Sequence, residues 1–183
     1  MMDRRLIGVF IFIVVVAAGW YFSHSSLFLV RNSSSMIITS PAFKNGEGIP
    51  RKFTCEGGDF NPEFTVQNFP QGTKSLAFLM EDPDAPGGTF THWIVWDIDP
   101  AAAFIKEESK PSRSFEGTNS AAKVGYTGPC PPRGLSHRYF FRVYALDAPS
   151  LEIMSGAKRQ EFDATLAGHV LAEAELMGTY ERK

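Results

Sequence analysis

The sequence has few cysteines and no excess of positive charge, and these shortages exclude several classes of protein. Its 183 residues include only Cys55 and Cys130, which do not match the sequence pattern of a zinc site, where the ligands are clustered. The chain carries 18 basic and 20 acidic side chains, for a net charge of −2. Charge therefore gives no basis for nucleic-acid binding, and no nucleic-acid partner is expected.

One long hydrophobic run is present, from Leu6 to Phe22, directly after Arg4 and Arg5. It lies at the short limit for a membrane-spanning helix and exceeds the apolar region of most cleavable signals. The basic residues before it predict a membrane-anchored protein whose domain lies outside the cytoplasm. We interpret residues 1–30 as a signal anchor, with a cleaved signal peptide and an exported or periplasmic domain as the alternative. Residues 31–35 read as a linker, and 36–183 as one globular domain.

Strand patterns dominate this domain, which we expect to be mostly β. Apolar or alternating runs at 75–80, 91–98 and 137–146 are separated by turns rich in glycine and proline. Such a pattern is typical of antiparallel sheets packed as a sandwich. A long C-terminal helix is predicted from Gln160 to Met177, with Gly178 as its stop. Its apolar residues recur on one helical face: Phe162, Leu166, Val170, Ala174 and Met177.

The segment from Glu81 to Trp93 concentrates polar side chains between two apolar runs. It carries Asp82 and Asp84 in a turn rich in proline and glycine, and His92 at the start of the next strand. Alternation places His92 on one face with the apolar residues Ile94, Trp96 and Ile98. Taken alone, the segment also fits two aspartates that cap a turn and an ordinary core histidine.

A second segment, from Gly128 to Tyr139, has a similar character. Its prolines and glycines predict a preformed loop whose few backbone N–H groups are free to receive an acceptor. His137 and Tyr139 then lie on one face of the following strand. Taken alone, Tyr139 is better explained as a core tyrosine whose hydroxyl is satisfied. The two segments together favour an anion pocket, in which Asp82 orients a histidine and raises its pKa.

Two other kinds of site stay open at this point. A metalloenzyme or hydrolase would bind zinc or iron through four side chains: Asp82, Asp84, His92 and His137. Nucleophilic catalysis would use Cys130 or Ser136 with His137 as the base, although no oxyanion-hole or elbow signature surrounds them.

The two segments resemble the phosphatidylethanolamine-binding protein family, in particular its prokaryotic branch of Raf-kinase-inhibitor-like proteins. The matching residues are Asp-Pro-Asp-Ala-Pro-Gly-Gly at 82–88, Thr-His-Trp at 91–93, Gly-Tyr-x-Gly-Pro-Cys-Pro-Pro at 125–132 and His-Arg-Tyr at 137–139. The resemblance runs from about Ser40 to Tyr180. This chain departs from the family pattern at 61–67, where a tryptophan is missing, and at 119–122, where only Asn119 matches.

The resemblance implies two antiparallel sheets with peripheral helices and a small surface pocket for a phosphate-like anion or phospholipid headgroup. It implies this set of ligand-binding residues: Asp82, Asp84, His92, Gly128, Cys130, Pro131, His137 and Tyr139. It also implies a non-enzymatic protein without a cofactor that regulates a partner such as a kinase or a protease, and a homodimer stays open. Related sequences carry both cysteines, so a Cys55–Cys130 disulfide is allowed outside the cytoplasm, with two buried thiols as the alternative.

Overall fold

The computed structural model of the protein describes residues 35–183. The interpretation of residues 1–30 as a membrane segment, and that of 31–35 as a linker apart from its last residue, therefore fall outside the described residues. Among residues 35–183, no helix has the length and the apolar character needed to cross a membrane. The described chain forms eight strands, one α-helix and two 3-10 turns.

The strands are β1 (Ile37–Thr39), β2 (Phe64–Gln67), β3 (Ser75–Asp82), β4 (Phe90–Ile98), β5 (Phe104–Ile105), β6 (Phe115–Glu116), β7 (Ser136–Leu146) and β8 (Val170–Glu181). The helix is α1 (Arg159–Leu166), and the 3-10 turns are Arg51–Phe53 and Pro100–Ala102.

The strands pair in antiparallel fashion in two sheets. The larger sheet has the order β6-β4-β3-β7-β8, and the smaller has the order β1-β2-β5. The central strand β3 is buried along its whole length because both faces of the larger sheet are covered. One face packs on the smaller sheet through Phe64, Phe78 and Phe141, and the other packs on α1 through Phe162. The prediction of a mostly β fold with two antiparallel sheets is confirmed.

The predicted long C-terminal helix is wrong over most of its length. The helix ends at Leu166, and β8 begins at Val170 and pairs with β7 along almost its entire length. Between them Gly168 has a φ of +89°, a left-handed conformation that ends the helix. The spacing of four between apolar residues does not distinguish the two structures, because residues four apart share a face in a strand as well as in a helix. Gly178, expected as a helix stop, lies inside β8.

The expectation that His92 shares one face of β4 with Ile94, Trp96 and Ile98 is also wrong. The pairing of β4 with β3 shifts register twice, between Leu76 and Phe78 and between Met80 and Glu81. Trp93 pairs with Met80 while Thr91 pairs with Glu81, so His92 is an extra residue in the ladder, as in a β-bulge. The bulge removes His92 from the face of Ile94, which packs towards α1. His92 contacts Tyr139 instead, edge to face with ring centroids 5.3 Å apart, and Tyr139 belongs to the core between the sheets.

Candidate functional site

A cavity of about 170 Å³ opens where the end of β3, the start of β4 and the loop before β7 meet. It is lined by Asp82, Ala85, Pro86, Phe90, His92, Thr127, Gly128, Cys130, Pro131, Pro132 and His137. Both segments singled out in the sequence thus contribute to one cavity. The volume is well above the roughly 10–15 Å³ that a single water needs, so the cavity admits several waters. This is room for a small anion or a headgroup and is below the range of drug-sized ligands.

Asp82 and His137 form a buried pair in the cavity wall. The Nδ1 of His137 lies 2.7 Å from Oδ2 of Asp82, and the two side chains are only 5% and 4% exposed. The other carboxylate oxygen of Asp82 accepts the backbone N–H of Asp84 at 2.8 Å. These two bonds compensate the burial of the Asp82 carboxylate. Asp82 therefore caps the turn and also orients His137, whose Nε2 is left without a protein partner among residues 35–183.

Asp84 does not line the cavity and instead fastens the turn at its rim. Its carboxylate accepts the backbone N–H and the Nε–H of Arg138, both at 2.9 Å, and the Nη2–H of the same residue at 2.6 Å. The hydrogen bonds from the Arg138 side chain, followed by the backbone bond, lower the pKa of Asp84 to about 2. Asp84 thus ties the turn after β3 to the start of β7.

His92 is held by the loop on the other side of the cavity. Its Nδ1 lies 2.6 Å from the carbonyl oxygen of Thr127. Because a carbonyl only accepts, the proton is assigned to Nδ1, and Nε2 of the neutral ring is an acceptor. Burial lowers the pKa of His92, and the bond to Thr127 and the charge of Asp82 oppose this shift more weakly. Asp82 thus acts on the pKa of His92 in the expected direction, but burial outweighs it and the net pKa is lowered.

The loop from Gly128 to Pro132 offers fewer free amides than the sequence suggested. The N–H of Gly128 donates to Oδ1 of Asp59 at 2.6 Å, so the protein itself uses it. A Cβ at Gly128 would lie 2.4 Å from the carbonyl oxygen of Phe53, so only glycine fits there. The three prolines of the loop have no N–H. Within 128–132, Cys130 therefore carries the one amide N–H that has no partner among the described residues.

A disulfide joins Cys55 to Cys130 at the edge of the cavity, with Cα atoms 5.5 Å apart. Both residues are exposed rather than buried, so the alternative of two buried thiols is wrong. The N–H of Cys55 also donates to the carbonyl oxygen of Pro129 at 3.2 Å. The disulfide and this bond attach the cavity loop to the segment that follows the first 3-10 turn.

Tyr139 lies behind His92 and is not part of the cavity lining. It is fully buried, and its hydroxyl has no hydrogen-bond partner within residues 35–183. Burial, followed by the charge of Asp82, raises the pKa of Tyr139 well above its usual value. Its position fits the core tyrosine considered from the sequence, but its hydroxyl is not satisfied. Ligand contact by Tyr139 stays a prediction.

Three residues outside the expected set shape the site. Asp59 holds Gly128, and Thr127 holds His92. Asn119 bonds Gly125 through its carboxamide nitrogen at 2.9 Å, and also the hydroxyl of Thr127 at 3.0 Å. Within 119–122, Asn119 alone matches the family pattern, and this match indicates that it holds the loop before the cavity. Asp59 lies 69 residues from its partner and carries no local signal.

The two enzymatic alternatives gain no support from this arrangement. In the part of the chain that the structure describes, no three His, Cys, Asp or Glu side chains are grouped closely enough to hold a metal. Cys130 is half of a disulfide and is not a free thiol. Ser136 is exposed, and its hydroxyl makes no hydrogen bond to His137 within residues 35–183.

Comparison with known proteins gives the chain its family. The sequence profile of the family described as phosphatidylethanolamine-binding protein matches residues 39–181. The chain belongs to the phosphatidylethanolamine-binding protein family. A UPF0098 protein of Pyrococcus horikoshii is 46% identical over 151 residues, which cover 79% of this chain and 76% of that protein. A UPF0098 protein of Aquifex aeolicus is 45% identical over 152 residues, covering 80% and 89% respectively.

Two solved structures of this family are also similar to the chain. CT736 of Chlamydia trachomatis, described as a phosphatidylethanolamine-binding protein homologue, superposes with a TM-score of 0.78 at 38% identity. YbcL of Escherichia coli, described as a member of the mammalian PEBP family, superposes with a TM-score of 0.77 at 31% identity. Each match covers 82% of this chain and 100% of the other chain.

Proposed function

We propose that the protein binds a phosphate-like anion or a phospholipid headgroup in this cavity and regulates a partner protein without catalysing a reaction. The observation that carries the proposal is the pair of buried histidines in the cavity lining. Each has its Nδ1 held by the protein, His137 by Asp82 and His92 by Thr127. Fixed rings of this kind leave Nε2 for a ligand and cost little reorganisation on binding.

The cavity offers a ligand both a hydrogen-bond donor and an acceptor. The Cys130 amide would donate, and Nε2 of His137, whose Nδ1 is held by Asp82, would meet the ligand beside it. His92, whose pKa burial lowers, would accept. A donor beside an acceptor suits a phosphate group that has charged oxygens together with a protonated oxygen or a nearby ammonium. A phosphate monoester and an ethanolamine-type headgroup both have this chemistry.

The regulatory and cellular parts of the proposal rest on the family and on two features of the chain. The disulfide supports a compartment outside the cytoplasm, where such bonds persist. The apolar run before the domain supports a membrane anchor or an exported protein. A kinase or a protease is the partner that the family resemblance favours. Cell fractionation with N-terminal sequencing would distinguish an anchored protein from a cleaved one, and recovery of the intact chain in the cytosol would contradict both.

Titration of full-length protein in detergent with inorganic phosphate or phosphoethanolamine, followed by NMR, tests the binding proposal. Saturable shifts of the ring signals of His92 and His137 are expected. His92→Ala should weaken binding by about 1.5–3 kcal/mol, the scale of a hydrogen bond to a charged group. His169→Ala is the matched control, because His169 is an exposed histidine that pairs with Asp147 and does not line the cavity.

These titrations also separate the parts of the proposal. Equal affinity of wild type and His92→Ala would remove His92 from the site. If the ring signals of both cavity histidines stay unchanged up to the highest concentrations of phosphate and phosphoethanolamine, the binding proposal itself is overturned.

A further inference from the structure

The Cys55–Cys130 disulfide is placed unusually for a bond that only stabilises a fold. Both half-cystines are exposed, and one of them lines the cavity. Exposed disulfides are the ones that exchange with thiols, whereas structural bonds in secreted proteins resist reduction. A thiol that reacts with this exposed disulfide would therefore act on a residue that lines the cavity.

A cation contacts one of the two sulfur atoms. The guanidinium Nη1 of Arg182 lies 3.8 Å from Sγ of Cys130. A nearby cation stabilises a thiolate. Negative charge that develops when the bond breaks is thus better accommodated at Cys130 than at Cys55.

We propose that this disulfide is a thiol-exchange site that controls the anion cavity, a consequence that rests on the proposed function. The thiolate of a small thiol attacks Sγ of Cys55 and forms a mixed disulfide there. The electron pair of the broken bond goes to Sγ of Cys130, which leaves as a thiolate beside Arg182. A second thiolate then attacks the sulfur of the added thiol, so the Cys55 thiolate leaves. In total the protein disulfide is reduced by two electrons and two thiols are oxidised to one disulfide.

Opening the bond changes the cavity locally. Cys130 carries the unpaired amide of the loop, and the disulfide is its covalent attachment to the segment around Cys55. The preceding residues remain held, because Gly128 stays bonded to Asp59 and Pro129 stays bonded to Cys55. The amide N–H of Cys130 lies in the same planar peptide unit as the carbonyl of Pro129, so after reduction this unit is held to the segment around Cys55 by the 3.2 Å hydrogen bond without the covalent link. The donor of Cys130 is therefore held less firmly, while the histidines keep their positions. An intact amide bond to a charged phosphate oxygen is worth about ten- to 150-fold in affinity, and loosening it forfeits part of this, about two- to tenfold.

Mass spectrometry of the full-length protein treated with reduced glutathione and quenched with an alkylating reagent tests the exchange chemistry. Glutathione is expected on Cys55, and the alkyl group on Cys130. Glutathione found equally on both cysteines, or mainly on Cys130, would overturn the assigned direction. Arg182→Gln should slow the exchange, while Lys183→Gln, which removes the same charge one residue further on, should leave the rate unchanged. A disulfide that glutathione reduces only after denaturation would refute the exchange site.

Phosphate titrations of the oxidised and reduced proteins test the control of the cavity. The reduced protein and Cys55→Ser/Cys130→Ser should both bind about two- to tenfold more weakly than the oxidised wild type, with native NMR dispersion. Equal affinities would refute the control, and so would unfolding on reduction, since the change would then not be local. Failure of the oxidised protein to bind phosphate would instead refute the proposed function, while the glutathione mapping would still decide the exchange site.

Discussion

Replacing both half-cystines of the Cys55–Cys130 disulfide by serine should lower the free energy of unfolding by up to about 4.5 kcal/mol. The two cysteines are 75 residues apart, so the bond closes a long loop in the unfolded chain. The chain-entropy relation assigns such a loop roughly 15 cal/mol/K, or about 4.5 kcal/mol at 25 °C. Domains of this size are stable by roughly 5–15 kcal/mol, so the variant should remain folded but with a much smaller margin. At about 2–4 °C per kcal/mol, the melting temperature should fall by roughly 9–18 °C.

Calorimetry or circular dichroism on three samples measures this effect: oxidised wild type, reduced wild type and the double serine variant. The reduced wild type and the variant should melt together, well below the oxidised protein, because both lack the same cross-link. A reductant should not change the melting of the variant, which controls for effects of the reagent. Equal melting temperatures for oxidised and reduced wild type would refute the argument. Destabilisation of the variant alone would show that the serine side chains, and not the lost cross-link, are responsible.

Three further predictions concern single residues of the site. Gly128→Ala should lower the free energy of unfolding, measured in urea, by about 1–3 kcal/mol, because the added Cβ would meet the carbonyl of Phe53. Gly48→Ala is the control: it has open space around it and should lower the free energy by less. Asp84 has a native pKa of about 2, against 3.8 for the free side chain, so its carboxylate should stabilise the fold above pH 4. This contribution to the free energy of unfolding should be lost as the pH falls towards 2. The Asp84→Asn variant should lack that part of the pH dependence. The native pKa of His92 is lower than the 6.5 of the free side chain, so an NMR titration of its ring should have a midpoint below 6.5. The unfolded chain then takes up the proton more readily, so the free energy of unfolding should fall as the pH drops below 6.5. A midpoint above 6.5 would contradict the burial argument.

Much of the sheet could be predicted from local patterns in the sequence. Strand β3 is a short continuous apolar run because it is buried on both faces, and β7 alternates because its faces differ. The last strand could not be predicted in this way. Its apolar residues at 166, 170 and 174 fit both periodicities, and only the pairing of β8 with β7 decides between them.

The cavity could be predicted in outline but not in its hydrogen bonding. Proline and glycine marked both loops, and the structure brings Asp82, His92 and His137 to one cavity. Which side His92 faces depends on one extra residue in β4, and a bulge leaves no mark in an alternating apolar pattern. The amide of Gly128 was expected to be free, yet Asp59 occupies it from a distant part of the chain. Such contacts between distant segments depend on the tertiary fold.

The central claim is that the two fixed histidines receive a phosphate-like group, and one NMR titration tests it directly. Ring signals of His92 and His137 are followed in the oxidised full-length protein while phosphoethanolamine is added, with His169 as the internal reference. The account predicts saturable shifts at both cavity histidines with one common affinity and none at His169. Signals of both cavity histidines that remain unchanged, or that move only in parallel with His169, would contradict it.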